Sequence, residues 1–368
     1  MKIAAIATLA ASLLVPAGAA WAGEPVKAPK VKMGVHGWFY TDPLGDLGLA
    51  APGRTPTAFR VRRANIWISG DATEHMGYNV LFDPSLLLTN STLTVRGNVS
   101  GSAISSSTVT SSYAPLKDAF VYYDRGWFRL QLGQMKVPVS QEFLQGAFNL
   151  ATIERSMFAT SAVTGDFGFY RDIGALASVD LFGMGKWHAG IYNGSGANIA
   201  ENSNAKTLVT RVELKPMSQL SLGAAYLNGY KRGPTDTAAL FRDRYEADVK
   251  LDLSPIVLSG EALYGTDGGK AGNPKLGYYG QCLYALSWEH QFVAKFEGWN
   301  PDTSATGTSS QQQYSALLGW NWNVGAPGTA LMVNYIHDFL PSATASAFGG
   351  FLPGGADDRL MTQLGVLI

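Results

Sequence analysis

Short runs in which apolar and polar side chains alternate fill the second half of the chain. In the clearest run, residues 241–251, every second side chain is charged: Arg242, Arg244, Glu246, Asp248 and Lys250. The side chains between them are mostly apolar. Because successive side chains of a strand point to opposite faces, the run predicts a strand with one charged and one apolar face. Repeated with hairpin spacing, this pattern is typical of a closed barrel with lipid outside and water inside.

Runs of this kind, bounded by turn residues, predict sixteen strands. They cover approximately residues 31–40, 57–70, 76–87, 116–124, 127–138, 172–182, 186–194, 206–216, 219–230, 240–253, 256–265, 275–288, 290–300, 312–323, 329–339 and 358–368. Several have about the ten residues that a tilted strand needs to cross the hydrocarbon layer. The 42 glycines and the frequent turn residues also favour an all-β chain. We therefore expect a sixteen-stranded antiparallel transmembrane β-barrel.

The connectors between these strands alternate in length. The odd connectors are mostly long, at residues 41–56, 88–115, 140–171, 195–205, 231–239, 266–274, 301–311 and 340–357. The even connectors are short, near residues 71–75, 124–126, 183–185, 217–218, 254–255, 289 and 324–328. Long external loops with short periplasmic turns are typical of outer-membrane barrels, and an even strand count puts both termini on the periplasmic side.

Aromatic residues near the predicted strand ends indicate two interfacial girdles, where an amphipathic ring lies between lipid and water. The periplasmic girdle would contain Trp127, Trp187, Trp288, Trp320 and Trp322. The external girdle would contain Trp38, Phe39, Tyr40, Tyr230 and Trp299. The alternative is that aromatic residues simply favour strands.

The first residues predict export from the cytoplasm. Lys2 precedes an apolar stretch, residues 3–15, which is too short to span a bilayer, and the small residues Ala20 and Ala22 fit a cleavage site. We therefore expect residues 1–22 to be a removed signal peptide and residues 23–368 to form a single barrel domain. Cys282 is the only thiol, so the chain has no intramolecular disulfide.

Composition argues against two further classes of protein. The chain has 28 basic and 28 acidic residues, and this balance is unlike the basic patch of a nucleic-acid binder. We expect neither a cofactor nor a metal site, because nucleophile-elbow, Walker and paired-Cys patterns are missing from the sequence. The five histidines lie far apart in the sequence. An enzyme is therefore not expected.

Several segments carry a resemblance to a known family. They are residues 59–71 (FRVRRANIWISGD), 77–83 (GYNVLFD), 116–121 (LKDAFV), 132–138 (LGQMKVP), 154–156 (ERS), 171–174 (RDIG) and 190–196 (GIYNGSG). Over roughly residues 57–196 the chain resembles the phosphate-selective porin O and P family. The resemblance implies a sixteen-stranded, usually trimeric outer-membrane channel whose third loop folds into the lumen. Because family members differ in what they conduct, it does not imply a particular solute.

The third long connector, residues 140–171, is the predicted constriction of the channel. A sixteen-strand barrel leaves an aqueous channel unless something narrows it. This connector combines apolar residues, which could pack against a wall, with the charged residues Glu142, Glu154, Arg155, Asp166 and Arg171. The alternative is an external loop buried at a trimer contact.

Charged residues on the predicted walls should face the lumen, because a lone Arg or Lys facing lipid at mid-bilayer costs about 2–4 kcal/mol. This phase predicts that seven basic residues line the pore: Arg63, Arg129, Arg211, Arg242, Arg244, Lys250 and Lys295. Arg62, on the opposite phase, is expected near the external rim. The basic residues could attract anions, and acids on the same walls offset them. For any one charge, the alternative is a salt bridge that only stiffens the wall.

The main hypothesis is an outer-membrane porin for passive diffusion of small hydrophilic solutes or ions, with a modest anion preference left open. Its expected partners are outer-membrane lipid, the diffusing solutes and two further copies in a homotrimer. The alternative is a barrel that serves as a structural, adhesion or partner-binding surface protein, which would need a plugged or enlarged lumen. Planar-bilayer conductance separates these classes.

Overall fold

The computed structural model describes most of the barrel and parts of its long connectors. The described residues are 28–41, 58–89, 92–97, 105–110, 115–159, 167–168, 170–199, 201, 204, 206–231, 239–269, 272–305, 312–325, 328–339 and 358–368. The predicted signal peptide, residues 1–22, and Asp166 lie outside them. Within the described part, no helix has the length and apolar character that a membrane crossing requires.

Alternating sequence produces strands throughout the described residues. They are β1 (Lys30–Thr41), β2 (Ala58–Asp71), β3 (Met76–Phe82), β4 (Thr92–Gly97), β5 (Ser105–Thr110), β6 (Leu116–Asp124), β7 (Phe128–Lys136), β8 (Arg171–Asp180), β9 (Gly185–Tyr192), β10 (Thr207–Met217), β11 (Leu220–Lys231), β12 (Leu240–Leu253), β13 (Ile256–Asp267), β14 (Pro274–Ala285), β15 (His290–Asn300), β16 (Gln313–Asn323), β17 (Ala330–Phe339) and β18 (Asp358–Leu367). All except β4 and β5 join one closed sheet.

This sheet is the predicted sixteen-strand antiparallel barrel, which is confirmed. Neighbouring strands pair in chain order, and β1 closes the barrel on β18 with Gly34 opposite Leu367. Met33 and Ile368 exchange both backbone hydrogen bonds at 2.8 Å, so the last residue of the chain belongs to the seam. All long connectors leave one end of the barrel and all short turns the other. We call these the long-connector end and the short-connector end.

The strand limits differ from the prediction at the second long connector. The predicted third strand, residues 76–87, ends at Phe82, where Asp83 begins a 3-10 turn, Pro84–Thr89. The connector from residues 88 to 115, predicted only as a long connector, contains the two-stranded sheet of β4 and β5. Each of these strands has only six residues, and β5 (SSSTVT) contains one apolar residue, so its sequence carries little hydrophobic contrast.

The two faces of the barrel wall follow the predicted alternation. On β12, Tyr245 and Val249 are exposed on the outer face, whereas Arg242, Arg244 and Glu246 are buried on the inner face. The aromatic prediction is correct in part. Trp127, Trp187, Trp288, Trp322 and Tyr230 are exposed large side chains, as an outer girdle requires.

Trp38 and Trp299 were wrongly assigned to the outer girdle. Both point into the lumen, where Trp38 donates to Gln363 Oε1 at 2.7 Å and Trp299 packs edge-on against Phe167 at 4.9 Å. Trp299 lies four residues after Lys295 on β15, so both side chains point to the same, luminal face. The side chain of Tyr40 lies outside the described residues.

The connector between β7 and β8 comprises residues 137–170, of which 137–159, 167–168 and 170 are described. Its described part enters the barrel and crosses it; we call it the crossing loop. It contains one α-helical turn, Gln141–Leu144, capped by Ser140 Oγ, which accepts from the Phe143 backbone N–H at 3.2 Å. Two 3-10 turns follow, Ala147–Asn149 and Met157–Ala159. Two apolar clusters hold it. In one, Phe158 and other loop residues pack on the wall of β8–β15; in the other, Ile153 packs on the opposite wall.

Candidate functional site

Two adjacent arginines of β2 bind the same carboxylate of the crossing loop. Arg62 donates to Glu154 Oε1 through Nε at 2.8 Å and to Oε2 through Nη2 at 3.3 Å. Arg63 Nη2 donates to Glu154 Oε1 at 3.3 Å. Neighbouring residues of a regular strand point to opposite faces, but the pairing of β1 with β2 shifts by one residue beside His36, which leaves Arg62 without a direct partner. The bulge turns both guanidinium groups inward, so the expectation that Arg62 has the opposite phase to Arg63 was wrong, whereas its place toward the long-connector end of β2 agrees with the prediction.

These arginines determine the charge of the loop carboxylate. Burial alone would raise the pKa of Glu154, but Arg62 and Arg63 outweigh it and lower this pKa from 4.5 to about 2. Glu154 is therefore ionised at neutral pH. Its bonds to β2 are charge-assisted, which makes them stronger than bonds between neutral groups.

Glu142 forms the second anchor, on the other side of the lumen. Lys295 Nζ of β15 donates to Glu142 Oε1 at 2.6 Å, and both side chains are almost fully buried. Glu142 Oε2 accepts from the Ser156 backbone N–H at 2.8 Å, which ties two turns of the loop together. The Glu142 backbone N–H donates to Glu261 Oε2 of β13 at 2.8 Å. We call Arg62, Arg63, Glu142, Glu154 and Lys295 the charged lattice.

Neutral groups complete the attachment near the far wall. Asn334 Oδ1 of β17 accepts from the Ile153 backbone N–H, and Asn321 Nδ2 of β16 donates to the Ala151 carbonyl, both at 2.8 Å. These bonds join the loop to strands distant from the strand on which it begins. The crossing loop therefore spans the lumen rather than lying along one wall.

Two further cations, one at the end of β7 and one in the loop itself, hold the loop backbone. Lys136 Nζ donates to the carbonyl oxygens of Phe143, Leu144 and Gln145 at 2.7–3.1 Å. Arg155, one of the predicted pore residues, donates to the carbonyls of Glu142 and Gln145 at 3.1 and 2.7 Å. Both side chains therefore stabilise the backbone of the helical turn in the loop.

The two arginines of β12 hold the end of the crossing loop. Arg242 lies over the Tyr170 ring with its Cζ 4.1 Å from the ring centroid, and Arg244 lies over the Phe167 ring at 4.4 Å. Arg244 also donates to Asp267 Oδ1 at 2.6 Å. The sequence placed both arginines on the luminal face, and the structure adds that they pack under the loop.

The remaining predicted residues lie apart from this lattice. Arg211 is buried against Glu213, Glu246 and Asp248 at 2.5–2.8 Å. Arg171, at the end of the loop, pairs with Asp118 at 2.8 Å.

Arg129 and Lys250 lie toward the short-connector end. Arg129 pairs with Asp124 at 3.2 Å and covers the Tyr122 ring at 3.9 Å. Lys250 is exposed on the luminal face of β12 and makes no ion pair with the residues that the structure describes. Of the twelve predicted pore residues, four therefore belong to the charged lattice: Arg63, Glu142, Glu154 and Lys295. Arg155, Arg242 and Arg244 also contact the loop.

Below the loop, toward the short-connector end, the wall changes from charged to amide side chains. A cavity of about 370 Å³ lies here, bounded by loop residues on one side and by β12–β18 and β1 on the other. We call it the amide chamber, after six of its lining side chains: Gln145, Asn149, Gln281, Gln291, Asn321 and Gln363. None of its lining residues is Asp, Glu or Arg. These amides were not predicted, because the luminal face was assigned from charged residues, although Asn321 and Asn323 alternate with Trp320 and Trp322.

Two other arrangements bear on chemistry. Ser178 Oγ lies 2.8 Å from His188 Nδ1 on neighbouring strands of the luminal wall. No hydrogen bond from the other ring nitrogen to a carboxylate occurs among the described residues, as a nucleophilic triad would need. Within the same residues, no group of three or more His, Cys, Asp or Glu is placed to hold a metal ion.

Comparison with known families decides the relationship. The sequence pattern of the family described as phosphate-selective porin O and P matches residues 52–270, more than half of the chain. The chain belongs to this family. It is therefore a β-barrel porin of the Gram-negative outer membrane, and the long-connector end is external. A comparison with curated protein sequences gives no match.

Solved structures share the fold at low sequence identity. An anion-selective porin from Comamonas acidovorans is 13% identical with a TM-score of 0.61, over 93% of this chain and 99% of that one. OmpF of Salmonella typhi, in a complex with daunomycin, is 10% identical with a TM-score of 0.60, over 92% and 97%. The trimer form of OmpT from Vibrio cholerae is 7% identical with a TM-score of 0.58, over 92% and 99%. At these identities the likeness concerns the fold.

Proposed function

We propose that this porin is a passive diffusion channel for small hydrophilic solutes and ions, narrowed by the crossing loop. One observation carries the proposal: the charged lattice and the Asn321 and Asn334 bonds fix the loop across a lumen lined with polar side chains. A loop held at mid-height reduces the opening without requiring any chemistry.

The accessible ends of the charges favour a modest anion preference. At the external side, the side chains of Arg62 and Lys117 are 25% and 20% exposed, whereas Asp83, which pairs with Lys117, is 1% exposed. An ion entering there meets cationic ends first. Farther in, Glu213 is 42% exposed and offsets them. The preference is therefore small.

A dedicated phosphate site is not part of the proposal. Tight phosphate binding needs several basic groups with donors directed at the ligand. Here Lys136 donates to three backbone carbonyls, and Arg62 and Arg63 share Glu154. The family description therefore does not transfer to this channel as a substrate.

The apolar outer face and the related structures support the expected partners. Large apolar side chains such as Leu132, Phe292 and Leu318 are exposed on the outer wall, where they would contact lipid. A homotrimer is proposed by analogy with the trimer form of OmpT.

Reversal potentials in planar bilayers with a KCl gradient test this function. The expected result is ohmic conductance with a reversal potential shifted slightly toward that of chloride. A purified, folded barrel that conducts no ions would contradict the diffusion channel and favour a structural or adhesion role. A strong cation preference would contradict the anion preference alone.

A further inference from the structure

We propose that the amide chamber is a binding site for a neutral, hydroxyl-rich solute of the size of a simple sugar. The inference rests on the proposed function, because a solute from outside reaches the chamber only through an open lumen. The inference adds to the proposed function a class of solute and a site in the lumen at which that solute binds during passage.

The size of the chamber fits a small molecule. Its volume is about 370 Å³, and small-molecule sites generally occupy about 300–1,000 Å³. Apolar surface is also present, because the Phe148 ring and Leu283 lie among the lining residues. Phe148 is fixed in place by the ring of His36, whose centroid lies 3.9 Å away.

Several lining amides keep hydrogen-bonding capacity for a ligand. Asn321 is 3% exposed, and its Oδ1 has no hydrogen-bond partner, although its Nδ2 holds the Ala151 carbonyl at 2.8 Å. This oxygen lies beneath the chamber surface, so the amides that can bond a ligand are those with accessible atoms that the protein leaves unbonded. Within the described residues, Gln291 and Asn149 make no side-chain hydrogen bond with protein.

The chemistry of the lining selects against charge. An amide offers both donors and an acceptor without net charge, which matches a hydroxyl group, itself a donor and an acceptor. A cation entering the chamber finds no carboxylate on the lining, and an anion finds only Lys250 and His36. A charged solute would lose hydration on entering the chamber and would find few opposite charges to compensate for that loss. A neutral solute is therefore favoured.

Saturation-transfer difference NMR on the detergent-solubilised full chain tests binding directly. The probes are glucose, glucuronate and glucosamine, which share one ring and differ in charge. We expect saturable binding of glucose in the millimolar range, with weaker binding of both charged sugars. Tighter binding of glucuronate than of glucose would overturn the proposal in favour of an anion site at Lys250. Signals that do not saturate would overturn it as well.

Paired substitutions locate the site. The double variant Gln281→Leu, Gln291→Leu should raise the half-saturation concentration of glucose about tenfold, because two hydrogen-bonding amides are lost. The single variant Gln291→Leu, which removes no hydrogen bond from the folded chain, should show a smaller rise. Gln131→Leu on β7 is the matched control, since Gln131 lies on the luminal face outside the chamber. Equal affinities in all variants would overturn the location.

The same preparation separates the two proposals. Conductance is measured in planar bilayers in parallel with the NMR titration. A barrel that binds glucose but conducts no ions contradicts the diffusion function and keeps the site. A barrel that conducts ions but binds no glucose contradicts the site and keeps the function.

Discussion

In the charged lattice the polar side chains are charged and bonded to one another, whereas the amide chamber, on the periplasmic side of the crossing loop, is lined by neutral amides with Lys250 as its one lysine. Lys295 of the charged lattice and Gln291 of the amide chamber lie on the same face of one strand, β15. The barrel wall thus changes its chemistry along a single strand where the loop crosses.

The difference indicates two roles: the charged lattice fixes the crossing loop, and the amide chamber is the proposed contact surface for a solute. Charge-assisted bonds are strong and directional, so they suit a loop that must keep one position in a wet lumen. The same charges would slow a permeating ion if they were free. Because these charges are paired inside the charged lattice, the amide chamber is the surface at which we propose that a solute binds.

Breaking the buried lattice pair should have the largest effect. Lys295→Met leaves Glu142 buried without its cation, and removal of one partner from a buried pair costs about 3–5 kcal/mol. Urea unfolding of the barrel in lipid vesicles measures this loss. The double variant Glu142→Gln, Lys295→Met should recover part of it, because no uncompensated charge remains. Equal unfolding midpoints for wild type and Lys295→Met would contradict the anchoring role.

Glu154→Gln tests the other anchor and its pH dependence. Loss of charged hydrogen bonds to Arg62 and Arg63 should cost about 1.5–3 kcal/mol at pH 7. Because the pKa of Glu154 is lowered to about 2, the contribution of its charge is complete above its usual pKa of 4.5 and is lost as the pH falls through about 2.

Urea unfolding of wild type and Glu154→Gln at several pH values between 7 and 2 therefore should show a gap that narrows only at the acidic end. Glu289→Gln, in an exposed turn, serves as the control and should change stability by less than about 0.5 kcal/mol. A gap that widens on acidification would be incompatible with this assignment.

A glycine of β14 tests how closely the loop packs on the wall. A Cβ at Gly277 would lie 2.3 Å from Phe158 Cβ, so Gly277→Ala should overpack the contact at a cost of about 1–3 kcal/mol. Gly280 on the same strand has nothing within 4 Å of such a Cβ. Gly280→Ala is therefore the matched control, and equal unfolding midpoints for the two variants would show that the loop does not press on β14.

Ion selectivity should respond least. Arg62→Gln removes one partly exposed cation from the external side, and at a few ångströms in water such a charge is worth about 1 kcal/mol. The ratio of chloride to potassium permeability should fall about two- to fivefold in reversal-potential measurements. Gln131→Leu changes no charge and should leave the ratio unaltered. A rise in the ratio for Arg62→Gln would contradict the cationic entrance.

Much of the barrel could be predicted because the alternation of polar and apolar residues within each strand identifies its luminal and its outer face. The parity of Arg211 and Lys295 against apolar neighbours was enough to place both in the lumen. Arg62 could not be placed, since a one-residue shift in the pairing of β1 and β2 changes its face, and pairing is a property of two strands. Trp38 and Trp299 were misplaced because an aromatic ring fits either an interface or a packed lumen.

The residues that bind the crossing loop could not be predicted from the sequence for a related reason. Glu142 meets Lys295 and Glu154 meets Arg62 only after the barrel has closed, so no local spacing records these pairs. The amide chamber was missed because the prediction relied on charged residues, and an amide facing lipid costs less free energy than a charge does. Asp166 lies outside the described residues, so its predicted role at the constriction stays a prediction.

Single-channel conductance in planar bilayers, compared between wild type and a variant whose residues 141–158 are replaced by a short Gly-Ser linker, tests most directly whether the crossing loop narrows an open channel. Discrete open steps are expected for the wild type, and larger steps for the variant. No steps from the wild-type barrel, or steps of equal size from both proteins, would contradict it.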